Sequence, residues 1–212
     1  MTETLILVRH GEVDGSRAGL LLGRTDVHLS EAGRRQAAEV RDALATVTID
    51  RLFCSPLART RETAQIMTAG GSASSAPAPP TIETLDDLRE ADFGDWEGLS
   101  YLEVEERHPE AAQAWARFDP AFGFPGGETL AGFTARVGRA AQALAETDAR
   151  TVVAVSHGGV IRGLLCHFLG LPQSGYLLFD ISTGSVTTLR LWGERGILAG
   201  LWQPSGLPGS PR

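Results

Sequence analysis

Apolar residues along the chain follow two rhythms, short unbroken runs and longer stretches with helical spacing. T-L-I-L-V-R-H-G-E (Thr4 to Glu12), Ile49 to Cys54 and T-V-V-A-V-S-H-G-G (Thr151 to Gly159) are of the first kind. Such runs fit parallel strands covered on both faces. Leu29 to Val47 predicts a helix, with Ser30 as N-cap and Ala32, Val40, Leu44 and Val47 among its apolar positions. Leu130 to Ala145 and Val160 to Phe168 predict two more. Residues 92–128 lack strand patterning and predict a helix over about Ser100 to Phe118. Ser100 with Glu103 makes a capping box there, and Pro109 bends or breaks the helix. Val186 to Trp192 and Ile197 to Trp202, flanking Gly193 to Gly196, predict a hairpin. Gly70 to Pro80 reads as a surface loop, and residues 203–212 as a disordered tail.

Strands alternating with helices predict an α/β fold. The expected architecture is a three-layer, doubly wound, mostly parallel sheet with helices on both faces. A small helical cap spans 92–128, and the C-terminal hairpin sits on the sheet edge. Residues 1–202 are expected to form one domain.

Two strands deliver a histidine flanked by glycine, His10 and His157, and ligands in such sheets sit beyond the strands' carboxyl ends. Arg9 adjoins the first histidine. Arg59 follows the Ile49–Cys54 run, where Ser55 as N-cap and Pro56 at the first helical position predict a helix start. Arginine presents a planar fork of donors that matches phosphate oxygens. Arg59 is therefore expected in the crevice, and Arg61 on the solvated helix surface.

The ordered set of motifs resembles the histidine phosphatase superfamily, also called the phosphoglycerate mutase-like family. The matching pieces are L-V-R-H-G-E (7–12), G-R-T-D-V-H-L-S-E-A-G (23–33) and S-P-L-A-R-T-R-E-T-A (55–64). L-R-E-A-D-F-G-D-W-E-G (88–98), P-G-G-E-T (125–129) and V-S-H-G-G-V-I-R (155–162) complete the set. The resemblance implies a transient phosphohistidine on His10, with His157 contacting the transferring phosphoryl group. It also implies that Glu90 is the proton donor to the leaving group, with Asp92, Glu97 and Glu12 as rivals. Neutral imidazole carries a lone pair for the phosphoryl group, and neighbouring arginines keep it neutral. Arg9, Arg59 and, if it is cationic, His157 would neutralise the phosphoryl oxygens without a metal. Substrate-side contacts are expected from Gly11, Gly23 and Gly158. Many relatives carry an asparagine after R-H-G-E; here the chain reads V-D-G-S-R-A-G, so Ser16 or Arg17 takes that place.

The chain has 212 residues, 42% hydrophobic and 21% charged, which is ordinary globular usage. Its net charge of −7 argues against nucleic acid and anionic membrane surfaces. No apolar run approaches the ~20 residues of a membrane span, and the first strand begins at Thr4, leaving no room for a signal peptide. Cys54 and Cys166 give no disulfide framework and fit a reducing, cytoplasmic setting. A cysteine-dependent phosphatase would need arginine at position 60, which is Thr60. His28, His108 and His167 are scattered, without the clustered partners of a metal site.

A metal-independent phosphomonoester hydrolase for a small phosphorylated metabolite is the expectation, with no cofactor. Its F-G-D-W-E-G and P-G-G-E-T stretches resemble the α-ribazole and broad-specificity phosphatase branch. The alternatives are a cofactor-dependent phosphoglycerate mutase and a non-catalytic phosphate-binding module of the same fold. Family mutases carry a longer insertion than the short central segment here, and a binding module is expected to lack the nucleophile or the acid. The one macromolecular partner considered is a second copy of the chain, in a homodimer.

Overall fold

The computed structural model describes residues 1–14, 17, 19–69 and 79–204. Thr4–Arg9 forms β1 and Thr151–Ser156 forms β4. The two pair in parallel, Thr4 beside Thr151 through Arg9 beside Ser156, so both predicted histidines emerge from the same end of adjacent strands. Arg51–Cys54 (β2) lies between β4 and Ile82–Thr84 (β3), parallel to both. Val186–Trp192 (β5) runs antiparallel to β1, and Arg195–Trp202 (β6) antiparallel to β5. The sheet order is β3-β2-β4-β1-β5-β6, with the hairpin at the edge as expected.

Side chains alternate across a strand, so even these continuous apolar runs feed two cores. Ile6, Val8, Leu52 and Val153 pack toward Glu31–Ala43 (α1) and Ala58–Thr68 (α2), meeting Val40, Ala64 and Met67. Leu5, Leu7, Val152 and Ala154 pack toward α5 (Leu130–Ala145) and α6 (Gly158–Leu169), meeting Val137, Ala141, Ile161 and Leu165. Truncating a fully buried leucine such as Leu5 or Leu7 to alanine costs about 2–5 kcal/mol. That rigidity fixes the strand ends where the histidines sit.

Segment 92–128 carries α3 (Tyr101–Arg107) and α4 (Pro109–Ala116), broken at Pro109. The Ser100–Glu103 capping box is present. Helix α4 ends with Phe118 N–H on the Trp115 carbonyl (2.8 Å) and Asp119 N–H on that of Ala114 (3.0 Å). This termination puts a left-handed residue just past the cap, usually glycine. Here it is Phe118, at φ 55°, a conformation costing an L-residue about 1–2 kcal/mol.

Several boundaries differ from the sequence reading. Ser30 does cap α1, its Oγ accepting from Gly33 N–H at 3.0 Å, but the helix stops at Ala43 rather than Val47. Helix α6 begins at Gly158, before Val160. Ser55 is not a helix cap: α2 starts at Ala58 with Leu57 as N-cap, and the Ser55 hydroxyl accepts from Leu57 N–H at 3.4 Å and from His157 at 2.8 Å. The hairpin turn is Gly193–Glu194, and Arg195 and Gly196 already belong to β6. Most of the predicted 70–80 loop (residues 70–78), Ser16 and residues 205–212 lie outside the described residues. Among the described residues no helix is long and apolar enough to cross a membrane.

Candidate active site

His10 and His157 meet edge to face, ring centroids 5.2 Å apart, beyond the ends of β1 and β4. The His10 Nδ1 lies 2.7 Å from the Gly11 carbonyl oxygen. A carbonyl only accepts, so Nδ1 carries the proton and Nε2 of the neutral ring keeps its lone pair. Burial, then the charges of Arg59 and Arg9, hold the His10 pKa well below its ordinary value. Position thus gives an unprotonated imidazole with a free Nε2 lone pair.

His157 differs from expectation. It is fully buried and does not line the cavity. Arg59 Nε–H donates to its Nδ1 at 3.3 Å, so the neutral ring donates from Nε2 to Ser55 Oγ at 2.8 Å. Burial, then Arg59, His10 and Arg9, push its pKa well below the ordinary value. The neutralising role expected of His157 if it were cationic is not met by this ring, which burial and then the charges of Arg59, His10, Arg9 and Arg136 hold toward its neutral form.

Arg59 comes from the first turn of α2 and lines the cavity. Its Nη1 donates to the Thr25 carbonyl (2.9 Å), and Nη2 to those of Leu22 (2.8 Å) and Gly23 (2.9 Å). Its fork therefore pins the 22–25 loop and presents mainly charge to the cavity. Arg9 donates from Nη1 to the Ile181 carbonyl, and its buried Nε has no partner among the described residues. An unpaired donor in a cavity wall suits an anion.

Glu90 accepts from Ala91 N–H at 3.0 Å and from Gly159 N–H, in the first turn of α6, at 2.9 Å. A Cβ at position 159 would fall on the Glu90 carboxylate, so any larger residue there would displace Glu90 from this place. Arg136, from α5, reaches the same loop. It donates to the carbonyls of Asp87 (2.8 Å) and Arg89 (2.7 Å) and forms a two-point ion pair with Glu128 of the P-G-G-E-T stretch. Sequence reasoning missed Arg136, whose sole signal is a charge on the apolar face of a helix. It also missed Ser55 as a partner of His157.

Arg9, His10, Arg59, Glu90, Gly158 and Gly159 line one side of a cavity of about 580 Å³, and Glu12 and Arg17 also line it. Gly11 and Gly23 are outside the lining. The Gly11 N–H is held by Thr63 Oγ1 at 3.1 Å, so it is not aimed at a ligand. Gly23 is buried against Ala91, with its carbonyl on Arg59. Asp92 and Glu97 are also absent from the lining. Asp92 accepts from Gly94 N–H at 3.1 Å, and Glu97 gathers the backbone N–H groups of Arg24 and Thr25.

Two buried neutral histidines make stability depend on pH. The unfolded chain titrates near the ordinary value of 6.5, whereas both native values lie well below it. Stability is therefore full above that value and falls with acidification, by up to about 1.4 kcal/mol per pH unit for each ring. Urea unfolding at pH 7.5 and 5.5 should show this decline, and His157→Gln should remove part of it. An unchanged slope in the variant would mean the native ring already carries a proton.

A family model for the histidine phosphatase superfamily (branch 1) matches residues 5–203. The chain belongs to that superfamily. This member is 32% identical to the adenosylcobalamin/alpha-ribazole phosphatase of Salmonella typhimurium, over 94% of this chain and 98% of that one. It is 31% identical to phosphoserine phosphatase 1 of Hydrogenobacter thermophilus, covering 92% and 89%. The mycobacterial glucosyl-3-phosphoglycerate phosphatase solved with VO3 superposes with a TM-score of 0.79 at 28% identity, over 96% of this chain and all of that one (100%). The expected fold and family both hold, and these relatives are named as phosphatases acting on different small phosphorylated metabolites.

Proposed function

We propose that this histidine phosphatase superfamily member hydrolyses a small phosphomonoester through a phosphohistidine on His10, with Glu90 as general acid. The observation that carries this reading is the single free lone pair of His10. Its Nδ1 is tied to the Gly11 carbonyl, and the ring shares a cavity wall with Arg9 and Arg59. In the first step Nε2 attacks phosphorus and the ester P–O bond breaks. Glu90 gives its proton to the departing alkoxide. In the second, water attacks phosphorus, Glu90 takes the proton, and the P–N bond breaks to return His10 and release phosphate. A carboxyl group set against a phosphate dianion favours its protonated form, and Glu90 is the acid in the wall nearest Gly159. Glu12 also lines the cavity but accepts from Ser30 Oγ at 3.1 Å.

Arg9 and Arg59 supply the charge that offsets the phosphoryl oxygens. His157, placed behind them, orients Arg59 and Ser55. We take residues 1–202 as one catalytic domain. Both cysteines are free and buried, which supports a cytoplasmic setting. Neither nucleic acid nor membrane has a part in this reading. The homodimer considered from the sequence has a candidate surface at the β6 edge, where Trp192, Ile197 and Leu201 are exposed. A mutase would have to shield its phosphoenzyme from water; the named relatives above favour hydrolysis.

Because arginines carry the neutralising charge, turnover should survive EDTA. Vanadate, which resembles the five-coordinate phosphoryl group in flight, should inhibit strongly. Activity lost in EDTA and restored by zinc or magnesium would sink the mechanism.

A further inference from the structure

We propose, resting on the phosphatase reading above, that the alcohol half of the substrate is uncharged and carries an aromatic or similarly broad apolar face. Phosphate accounts for one end of the cavity alone. Besides Arg9, His10 and Arg59 the lining holds five aromatic residues, Phe93, Tyr101, Trp115, Phe118 and Tyr176, the last with its hydroxyl toward Gly159 and Glu90. Their rings form two clusters, Phe93 and Tyr101 each 5.8 Å from Trp115, and Phe118 5.3 Å from Tyr176. Leu20 to Leu22 line the cavity as well.

The apolar surface continues to solvent. Leu177 lines the cavity and is 67% exposed, Leu178 beside it is 75% exposed, and Leu102, next to Tyr101, is 74% exposed. Leucines left in water around a cavity mark a surface that something apolar covers. A group long enough to span the cavity from His10 meets Leu177.

Charged groups offer a second anion little. Arg162 lines the cavity, but its Nε–H is held by the Phe179 carbonyl at 2.8 Å and its guanidinium lies over the Tyr176 ring, 5.6 Å from the centroid. Its charge lies beside Arg9 and the Tyr176 hydroxyl, at the phosphate end of the lining. Glu12, also in the lining, repels a substrate carboxylate. Arg17 is the remaining cation there and is exposed.

Phe118 adds an independent sign. It occupies the left-handed position after α4 where glycine sits without strain, at φ 55°. A bulky residue kept in that conformation points to a ligand-facing role, and its ring faces the cavity.

The test compares esters whose leaving alkoxides are alike: 2-(1-naphthyl)ethyl phosphate, ethyl phosphate and 3-phosphoglycerate, with p-nitrophenyl phosphate as a general substrate. The wild-type kcat/KM should favour the naphthyl ester over the other two alkyl esters by ten-fold or more. Phe118→Gly relieves the backbone, so its thermal midpoint should stay within a few degrees of wild type. The naphthyl-to-ethyl ratio should nevertheless fall by roughly ten-fold, and Trp115→Ala should lower it too. Turnover of p-nitrophenyl phosphate with no naphthyl preference, or a ratio unchanged in Phe118→Gly, overturns this inference alone. No turnover of any ester overturns the phosphatase reading and this inference with it.

Discussion

His10→Ala should abolish turnover, with a loss on the order of 10⁶-fold, as when other enzymes lose their nucleophile. The fold should survive, because the ring sits at a strand end outside both apolar cores. Wild-type protein quenched during turnover should carry phosphate on His10, labile to acid and stable to base. No neighbour can take over. Burial pushes the Cys54 thiol pKa up, which withholds the thiolate. The buried Ser156 hydroxyl donates to the Leu88 carbonyl at 2.8 Å. Phosphate recovered on Cys54, Ser156 or an aspartate would therefore refute the assignment.

Glu90→Gln should separate substrates by leaving group. A p-nitrophenolate departs with little help, whereas an alkoxide needs a proton, and general-acid help is worth about 10²–10⁴-fold. Alkyl phosphates should slow by that factor while p-nitrophenyl phosphate slows far less. Both carboxylate oxygens of Glu90 accept backbone N–H groups, from Ala91 and Gly159. The glutamine NH₂ can accept neither, so a small loss common to all substrates is expected on top. Asp92→Asn is the control, since Asp92 only holds the turn at Gly94. Equal losses for both ester types in Glu90→Gln would reduce Glu90 to a positioning residue. A selective loss in Asp92→Asn would move the acid two residues along.

Much of the scaffold was legible because its signals span only a few residues. Apolar runs announced β1, β2 and β4, and the hairpin announced itself by two strand-like runs around glycine. The Pro109 break falls where a missing N–H demands it. The family motifs named His10, Arg59 and Glu90, and all three line one cavity.

What failed had partners far away in the chain. Ser55-Pro56 has the local grammar of a helix start, yet the hydroxyl is held by His157, 102 positions on. Gly11 was expected to offer its N–H to a ligand, but Thr63 on α2 takes it. The sequence leaves the charge of His157 conditional; burial, with Arg59 and His10 beside it, favours the neutral ring. Arg136 was invisible because its value lies in the carbonyls of 87 and 89, which the fold brings to α5.

The sequence by itself determined every strand but the short β3, most of the helices and the residues expected to hold phosphate, since periodicity, capping and short motifs are written in neighbouring residues. Tertiary structure alone decided the protonation of the histidines, the division of Arg59 between loop and cavity, and the aromatic wall around Phe118. Burial and hydrogen-bond partners set those properties, and both arise only when distant segments meet.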